Sequence, residues 1–291
     1  MKLKRFTTGL LAVATLAALL LTGCSQSASA QTAAGGSSPL SSEEEQSSDN
    51  TENKDLLARI QEQGKIVVAM EGTWAPWTYH DEDDNLVGYD VEVAGLIAEK
   101  LGVEAQFIKG EWDGLLAGLD AGRYDIMVNG VDITEERSEK YDFSEPYAFN
   151  RTAVIVSDDN DEIQSLEDLE GKNTANTISS TYAALAESYG ANVTGVDDLN
   201  QTFELLLADR IDATLNAEVT YYDYMNAHPD ANVKIAVLTE DASQVAIPMR
   251  KGEETASLRE AINQALTELQ ESGELSRLSE KYFGTDISMN E

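Results

Sequence analysis

The chain has 291 residues, with 53 acidic against 20 basic side chains and a formal net charge of -33. That anionic excess excludes a nucleic-acid surface, which needs Lys and Arg patches against phosphate, and favours solubility on an exposed face. A single cysteine excludes any disulfide within the chain, so the fold must rest on core burial.

Lys2, Lys4 and Arg5 precede an uncharged run, Phe6 to Leu21, which is short for a spanning helix of ~20 apolar residues. The run ends in Leu21-Thr22-Gly23-Cys24 and resembles a bacterial lipoprotein signal peptide covering residues 1–23. That resemblance implies acylation of Cys24 and a protein lipid-anchored to the cell membrane on its extracytoplasmic face. Residues 24–54 are rich in Ser, Gly and Ala, then acidic. They have almost nothing large and apolar to bury, so they are expected to form a disordered tether. The ~235 residues that follow suffice for two lobes of ~100 each.

"KIVVAM" (65–70) predicts a strand, and "VEVAGLIAEKLG" a helix with Val93, Ile97 and Leu101 at four-residue spacing and Gly102 as its stop. Asp90 is expected to cap that helix. "AQFI" (105–108), the helical "WDGLLAGLDAG" and "DIMVN" (125–129) complete a βαβαβ pattern, the signature of a parallel sheet. The pattern restarts after "RTAVIVS" (151–157), with strands at 173–177 and 211–215. Helices are expected in "TYAALAESYG", in "NQTFELLLADR", where Phe203 and Leu207 share a face, and in "EVTYYDYMNA". "VKIAVL" (233–238) and "VAIPM" (245–249) read as strands. Leu258, Ile262, Leu266 and Leu269 form one helical stripe, and "ELSRLSEKYFG" a last short helix.

These elements predict an α/β fold of two lobes, each a mostly parallel sheet flanked by helices. The first lobe takes residues 55–152 and the second 153–247, and residues 248–291 return to the first. Segments 151–157 and 245–249 are expected to make two hinge crossings. A cleft between such lobes is a common ligand site, and hinge closure around the ligand a known repertoire.

Four segments carry a specific likeness: "EGTWAPWTYHDEDDNLVGYDVEVAGLIAEKLG", "WDGLLAGLDAGRYDIMVNG", "ITEERSEKYDFSEPY" and "LREAINQALTELQESGELSRLSEKYFG". They resemble the polar amino-acid-binding proteins of bacterial ABC importers (solute-binding protein family 3), with periplasmic-binding-protein-like lobes. The likeness is greatest to the cystine- and cysteine-binding members. It implies that Arg137 grips the ligand's α-carboxylate. A guanidinium suits that task, because it forks onto a carboxylate and stays charged in a cleft. Thr134, Glu135 and Glu136 read as the cap and first turn that carry it. The bland alternative is a surface arginine paired with Glu139 or Asp142.

The resemblance further implies that Trp74 and Trp112 wall the ligand, with Trp77 in the core, and that the Gly130 carbonyl accepts from the ammonium. Ser180 and the Thr181 amide would meet the carboxylate at a helix start, with Thr177 and Ser179 nearby. Glu71 lies at the end of the first strand, where α/β sheets place ligand groups; it is otherwise a solvated loop charge.

Two positions depart from the family. Asp132 stands where the family has Thr or Ser, and Ala217 where it has the aspartate that binds the ammonium. A buried ammonium left unpaired costs several kcal/mol. The two departures cancel if Asp132 supplies the charge that Ala217 lacks; the rival is that Glu218 swings in.

The expected function is capture of a zwitterionic amino acid, cystine or cysteine, by a monomer that delivers it to a permease driven by a cytoplasmic ATPase. No cofactor or metal is expected, since His80 and His228 have no cysteine to join them. The alternatives are a dehydratase of cyclic amino-acid precursors, with Glu71 the sole candidate acid, and a ligand-sensing subunit of a receptor.

Overall fold

The structure, a computed structural model, describes residues 55–290. The expected leader, Cys24 and the tether lie outside the described residues. Helix α1 (Leu56–Gln63) starts on Asp55, whose carboxylate accepts from the Leu57 amide at 3.1 Å. Strand β1 (Lys65–Met70) then enters the core with Ile66, Val68, Ala69 and Met70 fully buried, as befits an apolar strand covered on both faces. A hairpin of β2 (Tyr79–His80) and β3 (Leu86–Val87) precedes α2 (Tyr89–Leu101), which buries Val93 and Ile97. Next come β4 (Glu104–Lys109), α3 (Trp112–Asp120) and β5 (Ile126–Met127). They complete the predicted βαβαβ as a parallel sheet ordered β4-β1-β5. Helix α4 (Glu135–Lys140), β6 (Tyr141–Phe143) and β7 (Ala148–Asn150) lead the chain to the hinge.

The second lobe contains β8 (Thr152–Ser157), β9 (Asn173–Asn176), α5 (Thr181–Ser188), β10 (Asn192–Gly195) and α6 (Leu199–Leu207). It closes with β11 (Thr214–Ala217), α7 (Glu218–Ala227) and β12 (Val233–Leu238). Strands β9 and β10 pair in parallel, but β8 is antiparallel to both its neighbours. The reason is direction. Strand β8 carries the chain away from the hinge, and β11 and β12 bring it back, so Ala217 and Leu238 end opposite Thr152 and Ala153. Alternate residues of β8 feed two cores: Ala153 and Ile155 face Phe203 and Leu206, while Val154 and Val156 face Ala186 and Leu215. On α6 it is Leu206, three residues from Phe203, that is buried; Leu207 is 46% exposed.

Strand β13 (Ser243–Val245) pairs antiparallel with β7, so the two crossings run side by side. The run 245–249, expected above as an interlobe strand, instead buries Val245, Ile247 and Met249 in the first core. Within it β14 (Pro248–Arg250) pairs with β6. Helix α8 (Ala256–Glu271) buries the predicted stripe, and α9 (Glu274–Phe283) closes the lobe. Among the described residues no helix is long and apolar enough to cross a membrane.

Candidate functional site

The first lobe's wall is built where β5 ends. Gly130 has φ +54°, and a Cβ there would lie 2.6 Å from Trp74 Cζ3, so only glycine lets the indole rest on this peptide. The amide of Gly130 donates to Asp90 Oδ2 at 2.6 Å, and the Tyr147 hydroxyl donates to Asp90 Oδ1 at 2.8 Å. Asp90 is therefore not the cap expected of it. Gly88 holds the cap position, because a side chain there would strike the Trp77 carbonyl, and Asp90 turns inward with no exposed surface. Burial pushes its carboxyl up to about 7, against the pull of the Tyr147 and Gly130 hydrogen bonds.

Thr134 caps α4 as predicted, its hydroxyl accepting from the Arg137 amide at 3.1 Å. The Arg137 guanidinium turns back into the cleft and is 8% exposed. Its Nη1 donates to the Asp132 carbonyl at 3.0 Å, its Nη2 to the Ser179 carbonyl at 3.2 Å, and it lies 5.3 Å from the Trp112 ring centroid. Among the described residues it makes no ion pair with Glu139 or Asp142; Asp142 instead pairs with Arg259. The Asp132 carboxylate is 7% exposed and accepts from Thr181 Oγ1 at 2.5 Å and Ser243 Oγ at 2.6 Å. Burial raises its pKa, while those two hydroxyls and Arg137 pull it down. Burial likewise lowers Arg137, with Asp132 opposing.

Trp74 stacks on Trp77 at 5.4 Å, and its Nε1 donates to Asn216 Oδ1 of the second lobe at 3.2 Å. Trp77, 1% exposed, is a core residue as predicted. Glu71 sits just beyond β1, half-buried, with Oε2 accepting from Asn129 Nδ2 at 2.7 Å. Its carboxyl is pushed up to about 7, chiefly by burial; Asn129 pulls it down, and Asp198 and Asp113 add to the rise.

On the second lobe, Ser180 caps α5. Its Oγ accepts from the Ala183 amide at 3.1 Å and donates to the Thr177 carbonyl at 2.6 Å. Its carbonyl takes the Ala184 amide. Among the described residues the Thr181 and Tyr182 amides meet no acceptor, which leaves a helix start open to an anion. Ser179 Oγ donates to Asp113 at 2.5 Å. Ala217 is buried, and Glu218 turns away from the cleft to pair with Arg151 at 2.9 Å.

A cavity joins these groups: Glu71, Trp74, Trp112, Gly130, Asp132 and Arg137 from one side, Thr177, Ser180 and Thr181 from the other. Sequence reasoning missed Asn176, Tyr182, Asp198, Leu199, Thr202 and Asn216, which also line it. Asn176 and Asn216 lie at or near the carboxyl ends of β9 and β11, a position that could have marked them. Glu218 is absent from the lining. Among the described residues no cluster of three or more His, Cys, Asp or Glu is placed to hold a metal.

Residues 66–285 match the bacterial extracellular solute-binding proteins, family 3. The L-cystine-binding protein TcyA of Bacillus subtilis (strain 168) is 39% identical over 241 residues, 82% of this chain and 89% of TcyA. Among solved structures, an ancestral arginine-binding protein bound to arginine is 36% identical with a TM-score of 0.71, covering 76% of this chain and 99% of its own. The L-cystine solute receptor of Neisseria gonorrhoeae, unliganded and open, is 38% identical with a TM-score of 0.56, covering 80% and 99%. The better superposition on the ligand-bound neighbour agrees with the hydrogen bonds that span the cleft here.

Proposed function

The chain belongs to the bacterial extracellular solute-binding proteins of family 3, and from that premise we propose that it captures L-cystine and presents it to an ABC permease. It is an amino-acid-binding protein of an ABC transporter, and the relatives named for their ligands are binding proteins rather than enzymes. Cystine is the reading favoured by TcyA and its Escherichia coli (strain K12) counterpart TcyJ, whose names carry that ligand.

In this reading Arg137 and the open amides of Thr181 and Tyr182 hold the α-carboxylate from opposite lobes. Asp132 and the Gly130 carbonyl hold the ammonium. Trp74 and Trp112 flank the stem and exclude water, which strengthens both charge contacts. Thr177 and Ser180 shape the α5 start, and Glu71 meets the second ammonium of cystine. The observation that carries the reading is the pair of buried opposite charges, Asp132 and Arg137, lining one cavity while Glu218 is held outside by Arg151. A ligand that bridges the lobes favours the closed form through its differential contacts, and closure is what the permease reads. Cys24 carries the lipid anchor; Cys24→Ala is expected to move the protein from the membrane fraction to the medium.

The test is a thermal-shift panel of amino acids on the purified chain. A ligand bound only by the native state raises the melting temperature by mass action, and L-cystine is expected to raise it most. A panel in which no amino acid shifts the transition overturns the reading.

A further inference from the structure

Ser179 is exposed at the rim of the cleft, yet its amide, its hydroxyl and its carbonyl all bond to the opposite lobe. The amide donates to Asp113 Oδ1 at 3.2 Å, Oγ donates to the same oxygen at 2.5 Å, and the carbonyl accepts from Arg137 Nη2 at 3.2 Å. Ser179 lies just before α5 in the second lobe. Asp113 lies in the first turn of α3 and Arg137 in α4, both in the first lobe. One serine is thus fastened between the starts of two first-lobe helices.

The cavity lining includes Trp112 and Ser180, the chain neighbours of Asp113 and Ser179, but neither Asp113 nor Ser179 itself. Their bonds therefore cross the cleft without occupying a ligand position. Two donors on one carboxylate oxygen make charge-assisted hydrogen bonds, and their exposure to water keeps their net contribution modest. Of the two first-lobe partners only Arg137 also lines the cavity. Arg137 couples Ser179 to the ligand, while Asp113 acts on Ser179 whatever the ligand is.

We propose that Asp113 and Ser179 form a rim latch: two positioning residues that hold the lobes together without touching the ligand. The assignment rests on the amino-acid reading above and deepens it. A contact made only between closed lobes changes the fraction of the protein that is closed. It multiplies the affinity of every ligand that needs closure by one factor, and so adds affinity without selectivity. Selectivity is left to the groups that line the cavity. Because the two bonds break as the lobes part, the factor falls on the rate of release.

Calorimetric titration of the full chain with L-cystine and with S-methyl-L-cysteine, which carries one amino-acid head, tests this. Ser179→Ala should weaken both by the same factor, about three- to tenfold, and Ser179→Thr, which keeps the hydroxyl, should recover most of the loss. Ser179→Ala carries the comparison between ligands because it changes no charge. Asp113 also helps to raise the Glu71 carboxyl, so its removal alters the electrostatics of the cavity. Asp113→Ala should cost S-methyl-L-cysteine more than Ser179→Ala does, since both bonds go. Adding Ser179→Ala to it should then cost less than about twofold more. Stopped-flow tryptophan fluorescence, reporting on Trp74 and Trp112 in the cavity wall, should place the loss in release, with association changed less than about twofold. Unequal losses for the two ligands in Ser179→Ala, additive losses in the double variant, or unchanged affinity overturn the latch alone. Failure of both probes to bind the unsubstituted chain overturns the amino-acid reading and the latch with it.

Discussion

Replacing Asp132 by Asn removes one charge and little else, and its two consequences have opposite signs. In the bound state the ammonium would lose its anionic partner in a site where Asp132 is 7% exposed. Truncating one side of a buried, hydrogen-bonded charge pair costs about 2–5 kcal/mol, which is roughly 30- to several-thousand-fold in affinity. In the free protein the same substitution should be neutral or stabilising. Burial raises the Asp132 pKa above its unfolded value, so the ionised group opposes folding once the pH exceeds that value. Asparagine removes this penalty, and its oxygen can still accept from Thr181 or Ser243. The assay is calorimetry with S-methyl-L-cysteine and with 3-(methylthio)propionate, which keeps the carboxylate and lacks the ammonium. The unsubstituted protein should strongly prefer the amino acid, and Asp132→Asn should erase most of that preference. If Asp132→Asn weakens both ligands by the same factor, Asp132 acts only as a latch to Thr181 and the ammonium assignment is wrong.

Gly130→Ala should abolish measurable binding and lower stability by about 1–3 kcal/mol, read by calorimetry and thermal unfolding, because its Cβ would collide with the Trp74 ring at a positive φ. Arg137→Lys keeps the charge but loses the fork; about 10- to 100-fold weaker carboxylate binding is expected in the same titration. Glu218→Gln should leave cystine affinity unchanged and shift stability by less than about 1 kcal/mol, since it only weakens a partly exposed pair with Arg151. Asp90→Asn should flatten the pH dependence of stability. The folded-state value of about 7 lies above the ordinary carboxylate value, so stability from this group is present in acid and lost as the pH rises from about 4 to about 7. The loss amounts to a few kcal/mol at most, and melting temperatures at pH 5 and pH 8 should differ less in Asp90→Asn than in the unsubstituted chain.

What the sequence by itself determined is what short-range pattern controls. The α8 stripe of Leu258, Ile262, Leu266 and Leu269, the Thr134 cap, and the βαβαβ order of the first lobe follow from periodicity, capping chemistry and β-branched runs within one or two turns of chain. The inward turn of Arg137 followed from its place on a capped first turn, joined to the family resemblance. Tertiary structure alone decided the partners. Local rules made Asp90 a cap, but its acceptor atoms are claimed by Gly130 and Tyr147, 40 and 57 residues away. Glu218, beside the vacant Ala217, is drawn off by Arg151 of the hinge. Asp198 caps α6, and only the meeting of the lobes sets it on the same cavity as Glu71. Periodicity encodes which face of an element is apolar. It carries no information on which polar atom of a distant segment will stand within 3 Å once two lobes meet, and a binding cleft is made of such meetings.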